Sequence, residues 1–371
     1  MSSEERGKAM ISNQIIQTSL DELKNITKVD LCVYDLDGSQ MAGTLEQVDL
    51  KTGILVDFAK SPADSQVIGP NHLLKIYDEG ELLFILVARG LGDDAYMVGK
   101  IAVCQIQNLV IAYKERYDRN NFFQNLIMDN MLLVDIYNRA KKLRIETSAP
   151  RAVYLIEAKN ERDGLVTELL KGMFTAQAGD YITAVDERNV ILIKSLEEDD
   201  SNEALDGVAN TIVDMMSSEA MINVRVAYGT VVHELTDISK SYKEALMAME
   251  VGKIFFAEKM VAAYHTLGIG RLIYQLPDNL CKIFIDEIFG NNDPAALDEE
   301  TLNTLNKFFE NNLNVSETAR QLYVHRNTLV YRIERIQEST GLNLRSFDDA
   351  LTFKIAMMVY DYMKYREKSG F

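Results

Sequence analysis

Toward the C-terminal end, Arg326, Asn327, Tyr331, Arg332 and Arg335 recur at helical spacing around Leu329, Ile333 and Ile336. With Leu329 at the centre of a buried face, a step of about 100° per residue sets Ile333 and Ile336 beside it and turns Asn327 and Tyr331 outward. Thr328 and Arg335 fall on one flank of that outward face, Val330 and Glu334 on the other, and Arg326 and Arg332 nearer the protein at its edges. This pattern suits a nucleic-acid groove, because edge arginines meet phosphates while outward residues near a helix N-terminus meet base edges. Asparagine bonds an adenine edge bidentately, and valine touches a thymine methyl. Glu334 fits only by accepting from cytosine or by orienting Arg335. An amphipathic helix with a charged outer face produces the same spacing.

Other constellations are weaker. Gly90-x-Gly92-x-x-Ala95 follows an expected strand, as in a dinucleotide-binding turn, but a second strand is expected after it and Asp93-Asp94 would repel a pyrophosphate. Asp35-x-Asp37-Gly38 lacks the further ligands of a calcium loop and reads as a hairpin turn. The four histidines (72, 233, 265, 325) are isolated, and no nucleophile elbow or metal-ligand spacing is present. No catalytic constellation emerges, and no cofactor is expected. Cys32, Cys104 and Cys281, far apart and odd in number, read as small apolar residues in a reducing compartment.

The elements that would position the outward face are legible around it. Asn314, followed by Glu317, reads as a capping-box-like helix start, with Val315, Ala319 and Leu322 on the inward side. A brief turn at Tyr323, Val324 and His325 precedes a second helix from Arg326 to about Ser339, ended by Gly341. Two short helices joined in this way form a helix-turn-helix.

Upstream, a helical pattern (Ile11, Ile15, Leu20, Leu23) leads into a hairpin around Asp37-Gly38 and strands at 82–88 and 96–105. This suggests a small α/β sensor of the PAS or GAF kind, residues 1–113. A linking helix is expected over 114–150, broken by Ser148-Ala149-Pro150. Ile106, Val110, Tyr113, Tyr117, Ile127, Met131 and Val134 form a seam that either pairs two subunits or packs on its own chain. Residues 151–267 alternate strand and helix, an α/β arrangement with at least one covered face. A helical connector (268–297), with a helix start at Asp293-Pro294, leads into an all-α C-terminal domain (298–371).

The net charge of -17 opposes nucleic-acid binding by the chain at large. From Asn312 to Arg345, however, five arginines face three acids, a local +2 that leaves -19 for the rest. The acidic body then confines contact to one basic end. Neither a secretory signal nor a membrane span is read, and the cytoplasm is the expected location.

The string Val324-His-Arg-Asn-Thr-Leu-Val-Tyr-Arg-Ile333, followed by Gly341, closely resembles the C-terminal helix-turn-helix of the purine-catabolism and sugar-diacid regulators, the PucR/CdaR type. The resemblance implies that His325, Arg326, Asn327, Thr328, Tyr331 and Arg332 face DNA. Ala227-Tyr-Gly-Thr230 with Ser241-Tyr-Lys-Glu-Ala-Leu-Met-Ala-Met249 is similar to the closing strand and helix of GGDEF domains. Where that fold keeps its signature, this chain reads Ala184-Val-Asp-Glu-Arg-Asn-Val190, without the glycines that let a backbone approach a nucleotide. Asp186 and Glu187 remain there as a possible metal pair or as turn residues. Gln14–Leu20 and Tyr34–Gly38 loosely resemble the diacid-recognition domain of the same regulators, whose ligand loops fall near Gly69–His72 and Arg89–Gly92. There His72, Arg89 and local amides are the candidates for holding an anionic effector.

The resemblance implies a homodimeric, non-enzymatic, metabolite-responsive regulator bound to double-stranded DNA. A nucleotide-binding or diguanylate-forming enzyme and a protein-binding signalling scaffold are the alternatives.

Overall fold

Along β1 (Asp30–Tyr34), Leu31 and Val33 alternate with Cys32 and Tyr34, so the strand offers apolar side chains to two faces of a sheet. A computed structural model of the chain describes residues 11–46, 50–90, 92–158, 164–174, 179–184, 189–198, 200–290, 294 and 297–369. They divide into two compact units: the described residues up to Asn125 together with Arg139–Arg144, and Leu126–Asn138 together with those from Ile145 onward.

In the first unit, β1 joins β2 (Gln40–Gly43), β3 (Ser65–Ile68), β4 (Asn71–Asp78) and β5 (Glu81–Arg89) in an antiparallel sheet of order β2-β1-β5-β4-β3. One face carries Leu31, Val33, Leu74, Leu86 and Ala88 beneath α1 (Asn13–Thr27) and α3 (Asp93–Ile127). The other carries Cys32, Tyr34, Leu73, Ile85 and Val87 beneath α2 (Thr52–Lys60), which inserts Leu55 and Phe58. The hairpin at Asp37-Gly38 is present: Gly38 has φ 85° and the Asp37 carboxylate accepts from Ser39 N at 2.8 Å.

The strand expected over 96–105 is instead the first third of α3. Val98, Ile101 and Val103 suggested a strand, yet Ala95, Gly99, Ala102, Ile106 and Val110 recur at spacings of three and four. Gly99 brings that side of the helix against Leu74 and Ala88. The helix also runs through Tyr113 and Lys114 without interruption. The expected seam divides accordingly: Ile106 and Val110 are buried on their own sheet, and the helix ends at Ile127 instead of continuing to Val134. Asp129, at φ 59°, lies in the break before α4 (Leu133–Lys142). Pro150 ends no helix; it sits within β6 (Ser148–Ala158). α3 contains an 18-residue window of mean hydropathy 1.3, long and apolar enough by length and composition alone to cross a membrane, with 28% of it buried.

In the second unit, β6, β7 (Tyr181–Ala184), β8 (Asn189–Ser195), β9 (Val224–Tyr228) and β11 (Val261–Ala263) form a sheet of order β11-β9-β6-β8-β7, with β10 (Val232–Glu234) also on β6. Among the described strands, β11 alone runs parallel to its neighbour. α5 (Leu165–Phe174) and α6 (Asn202–Ala220) cover one face with Leu170, Leu205, Ala209 and Ile212. α7 (Ile238–Phe255) lies against β6 and β9 on the other: Ser241 Oγ donates to Thr230 O at 2.8 Å and accepts from Val153 N at 3.1 Å. Gly229 permits this approach, because a Cβ there would collide with the Ser241 carbonyl. The hairpin turn with Asp186 and Glu187 lies outside the described residues.

The remaining elements are helical: a single turn α8 (Gly270–Ile273), α9 (Asp278–Phe289), α10 (Glu299–Glu310), α11 (Val315–Gln321), α12 (Arg326–Thr340) and α13 (Phe347–Ser369). The helix start expected at Asp293-Pro294 lies largely outside the described residues; α10 opens at Asp298, whose carboxylate accepts from Thr301 N. Phe353 and Ala356 of α13 pack with Phe289, Phe308 and Leu329, whereas Val359 and Tyr362 pack with Ile273 and Cys281. Tyr365 then donates to Glu250 of α7 at 2.9 Å, so α13 joins the helical domain to the α/β part of its unit.

Candidate nucleic-acid interface

Asn314 opens α11 by accepting from Ser316 N at 3.1 Å and Glu317 N at 3.2 Å, which satisfies two of the free amides at a helix start. Glu317 does not complete a capping box. It turns forward to Arg320 and Gln321, and these partners hold its carboxyl down at about pKa 2, from the ordinary 4.5. Thr318 and Ala319 are the buried residues of this short helix, and Val324 N reaches back to Ala319 O at 3.0 Å to close the turn. Tyr323, within that turn, has φ 56° and is 96% exposed.

α12 then crosses the domain on Leu329, Ile333 and Ile336, all buried as the spacing predicts, and ends at Gly341 with φ 76°. Its outward residues are those derived from a 100° step. Asn327, Thr328 and Arg335 are exposed, Tyr331 is 61% exposed and Val330 is half-buried. Arg326 and Arg335 form no direct ion pair among the described residues, although Arg335 lies near enough to Asp298 to help lower that carboxyl. Glu334, awkward opposite a phosphate backbone, is neutralised by Arg345 at 2.9 Å rather than engaged with Arg335.

Two residues differ from expectation. His325 is the N-cap of α12: its Nδ1 accepts from Asn327 N at 3.2 Å, so only the other edge of the ring is left to face a partner. Arg332 is not a free edge cation. Its guanidinium pairs with Glu300 and donates to Thr304 Oγ1 at 3.0 Å, and it is only 18% exposed. The reason is geometric: α10 passes beside this edge of α12 and offers a carboxylate where the isolated helix pattern showed solvent. Tyr323, expected only as a turn residue, is a further exposed aromatic beside the outward face. Its only signal is a large aromatic inside a turn, with no apolar partner at helical spacing.

In the first unit, the loops near His72 and Arg89 do come together, with Gly90 N donating to Pro70 O at 2.9 Å; Leu91 lies outside the described residues. The two side chains do not converge. Asn71 pairs with Arg89 and His72 with Ala88, so alternation sends His72 and Arg89 to opposite faces of the sheet. His72 is buried beside Tyr96 with no partner on Nδ1; Asn71, also buried, has none on Oδ1; Arg89 is exposed. A helix does follow Gly92, which overturns one ground for rejecting a dinucleotide turn. The antiparallel sheet and the acidic first turn, Asp93 and Asp94, still oppose it. Among the described residues, no three histidine, cysteine or acidic side chains gather as a metal site.

The family model of the PucR C-terminal helix-turn-helix domain matches residues 301–359, from α10 into α13. Over that stretch the chain carries a PucR-type C-terminal helix-turn-helix domain, and its relatives include regulators of the PucR/CdaR type. A GGDEF-like domain matches residues 130–251, which end within α7. The chain is 24% identical over 259 residues to the purine catabolism regulatory protein of Bacillus subtilis (strain 168), covering 65% of this chain and 48% of that protein. It is 24% identical over 311 residues to the carbohydrate diacid regulator of Escherichia coli (strain K12), covering 76% and 77%. A proline-responsive transcriptional activator, PutR, of Bacillus subtilis (strain 168) is 26% identical over 226 residues, covering 56% and 54%. The chain thus spans about half the length of the first and third of these relatives. The PucR-type assignment gives the outward face of α12 a context that helical spacing alone does not supply.

Proposed function

We propose that this chain is a non-enzymatic, cytoplasmic transcription regulator that reads duplex DNA with α12 in the major groove, as a homodimer on two half-sites. The observation that carries this reading is the outward row of Asn327, Thr328 and Tyr331 beside the unpaired Arg326 and Arg335, at the start of the second helix of a helix-turn-helix. Asn327 is the base-reading residue, and Arg326 and Arg335 bind phosphates. Val330 lies where it meets a thymine methyl, and His325 approaches DNA with the ring edge opposite its cap. Arg332 has two roles: paired with Glu300 it holds α12 in place, and its guanidinium stands at the phosphate edge of the helix.

The N-terminal unit is a PAS/GAF-like sensor of a small anionic metabolite, a reading supported by its five-stranded antiparallel sheet with helices on both faces. Arg89 is its charged contact, sharing a sheet face with Asn71, and His72 lines the opposite face. The 151–267 segment serves as a GGDEF-like spacer.

Duplex fragments selected from the organism's own genome test the first reading. The selected site should contain half-sites about 34 Å apart or a multiple of that. Affinity should fall steeply with salt, since each neutralised phosphate releases counterions. Salt-independent or absent binding to every fragment would end the DNA reading in favour of a protein-binding scaffold.

A further inference from the structure

α3 buries one side on its own sheet and leaves another stripe uncovered. Met97, Ile101, Cys104, Asn108 and Ile111 follow one another at spacings of four, three, four and three, and all are exposed, Met97, Ile101 and Ile111 to between 49% and 59%. A shallow groove on the same side is lined by Ile101, Cys104, Gln105, Asn108 and Leu109. This stripe is distinct from the Ile106–Val110 side that the sheet covers.

We propose that the stripe is the dimer interface: α3 pairs with α3 of a second copy of this chain about a two-fold axis. The inference rests on the reading that two copies act together on DNA, and it names the surface that joins them. A 4-3-4-3 repeat is the spacing at which helices interlock side chains with another helix of the same kind. One polar residue in the seam, Asn108, meets its own counterpart in a parallel pair and fixes register, a contact that a lipid surface cannot offer. Cys104 is the midpoint of the stripe, so two-fold pairing of either polarity sets it against the partner's identical residue. Pairing over about four turns of helix, with flanking side chains such as Lys100 and Ala112, buries on the order of 1,000 Å², the threshold for a specific interface. The high hydropathy of α3 together with its low burial has the same origin: a helix with two apolar sides is covered on only one within a single copy.

The test uses the full-length protein without DNA. Sedimentation at micromolar concentration should give a dimer, and mild oxidation or a short bis-maleimide should link it through Cys104, since Cys32 and Cys281 are buried. Cys104→Ser should abolish the link and leave the dimer intact. Ile101→Asp with Ile111→Asp should give a monomer with unchanged helical content and at least tenfold weaker binding to a two-half-site duplex. A monomeric parent, a double variant that stays dimeric, a parent that fails to cross-link, or a parent that floats with phospholipid vesicles instead of self-associating would overturn the proposal. A dimer that binds no DNA would instead count against the DNA reading alone, so the two failures are distinguishable.

Discussion

Arg332 of the second helix and Glu300 of α10 form an ion pair that ties the DNA-facing element to the body of its domain, with Thr304 Oγ1 taking a second guanidinium nitrogen at 3.0 Å. Arg332 is mostly covered, whereas Glu300 is 70% exposed, so the pair stabilises modestly, by about 1 kcal/mol after solvent screening. Arg332→Ala should lower the urea midpoint of the C-terminal domain and weaken all duplexes alike. Glu300→Gln separates the two roles of the arginine. It should cost similar stability while leaving affinity equal or higher, because it frees a cation beside the phosphates. If Glu300→Gln instead weakened DNA binding as much as Arg332→Ala, the pair would be required for the bound geometry itself.

Asn327 has an exposed side chain while its backbone amide is fixed by His325, so the side chain is presented from a capped, ordered first turn. Asn327→Ala should relax preference at one base position by about 1–3 kcal/mol, the value of a bidentate contact. Binding to a duplex series substituted one position at a time would show this as a flattened profile at one base pair per half-site. Equal loss on every sequence would reassign Asn327 to the backbone.

What the sequence discloses depends on whether a residue's partner lies within its own helix or on another. The buried face of α12 and its Gly341 stop follow from local periodicity, and both are found as derived. Local spacing does not disclose the partners of Arg332 and Glu334, because Glu300 and Arg345 are 32 and 11 residues away and approach through tertiary packing. The start of α3 reads as a strand because its β-branched residues outweigh a small-residue repeat that makes sense only once β4 and β5 lie beneath it. α2, β3 and β4 are elements of nine, four and eight residues, too short for periodicity to tell strand from helix. In the first unit, the resemblance to a diacid-recognition domain implies that the His72 and Arg89 loops are neighbours, but it does not give the register that separates their side chains.

Gly229 closes the GGDEF-like sheet against α7. A methyl there meets the backbone carbonyl of Ser241, and backbone in a packed helix cannot yield as a flexible side chain can. Gly229→Ala should therefore destabilise the second unit by several kcal/mol, roughly 3–5, as severe overpacking does. Thermal unfolding would report the drop. Gly207→Ala, on the exposed side of α6 with open space around its Cβ position, is the control and should be neutral or stabilising. If both variants melted together, the close approach at Ser241 would not be what holds the sheet.

Glu317 links the first helix of the pair to acid stability. Hydrogen bonds from Arg320 and Gln321 lower its pKa from 4.5 to about 2 in the folded chain. A carboxylate whose folded value is depressed contributes stability that is fully present above the unfolded value, and that contribution is lost as pH falls through the folded one. Glu317→Gln should thus be less stable than the parent at pH 7. The gap should narrow from about pH 4.5 and close near pH 2. Urea midpoints of the two proteins across that range would check it. The difference should also shrink in high salt, because both partners are open to solvent and their attraction is screened. A gap constant from pH 7 to pH 2 would assign Glu317 to neutral capping instead of to its pairing with Arg320.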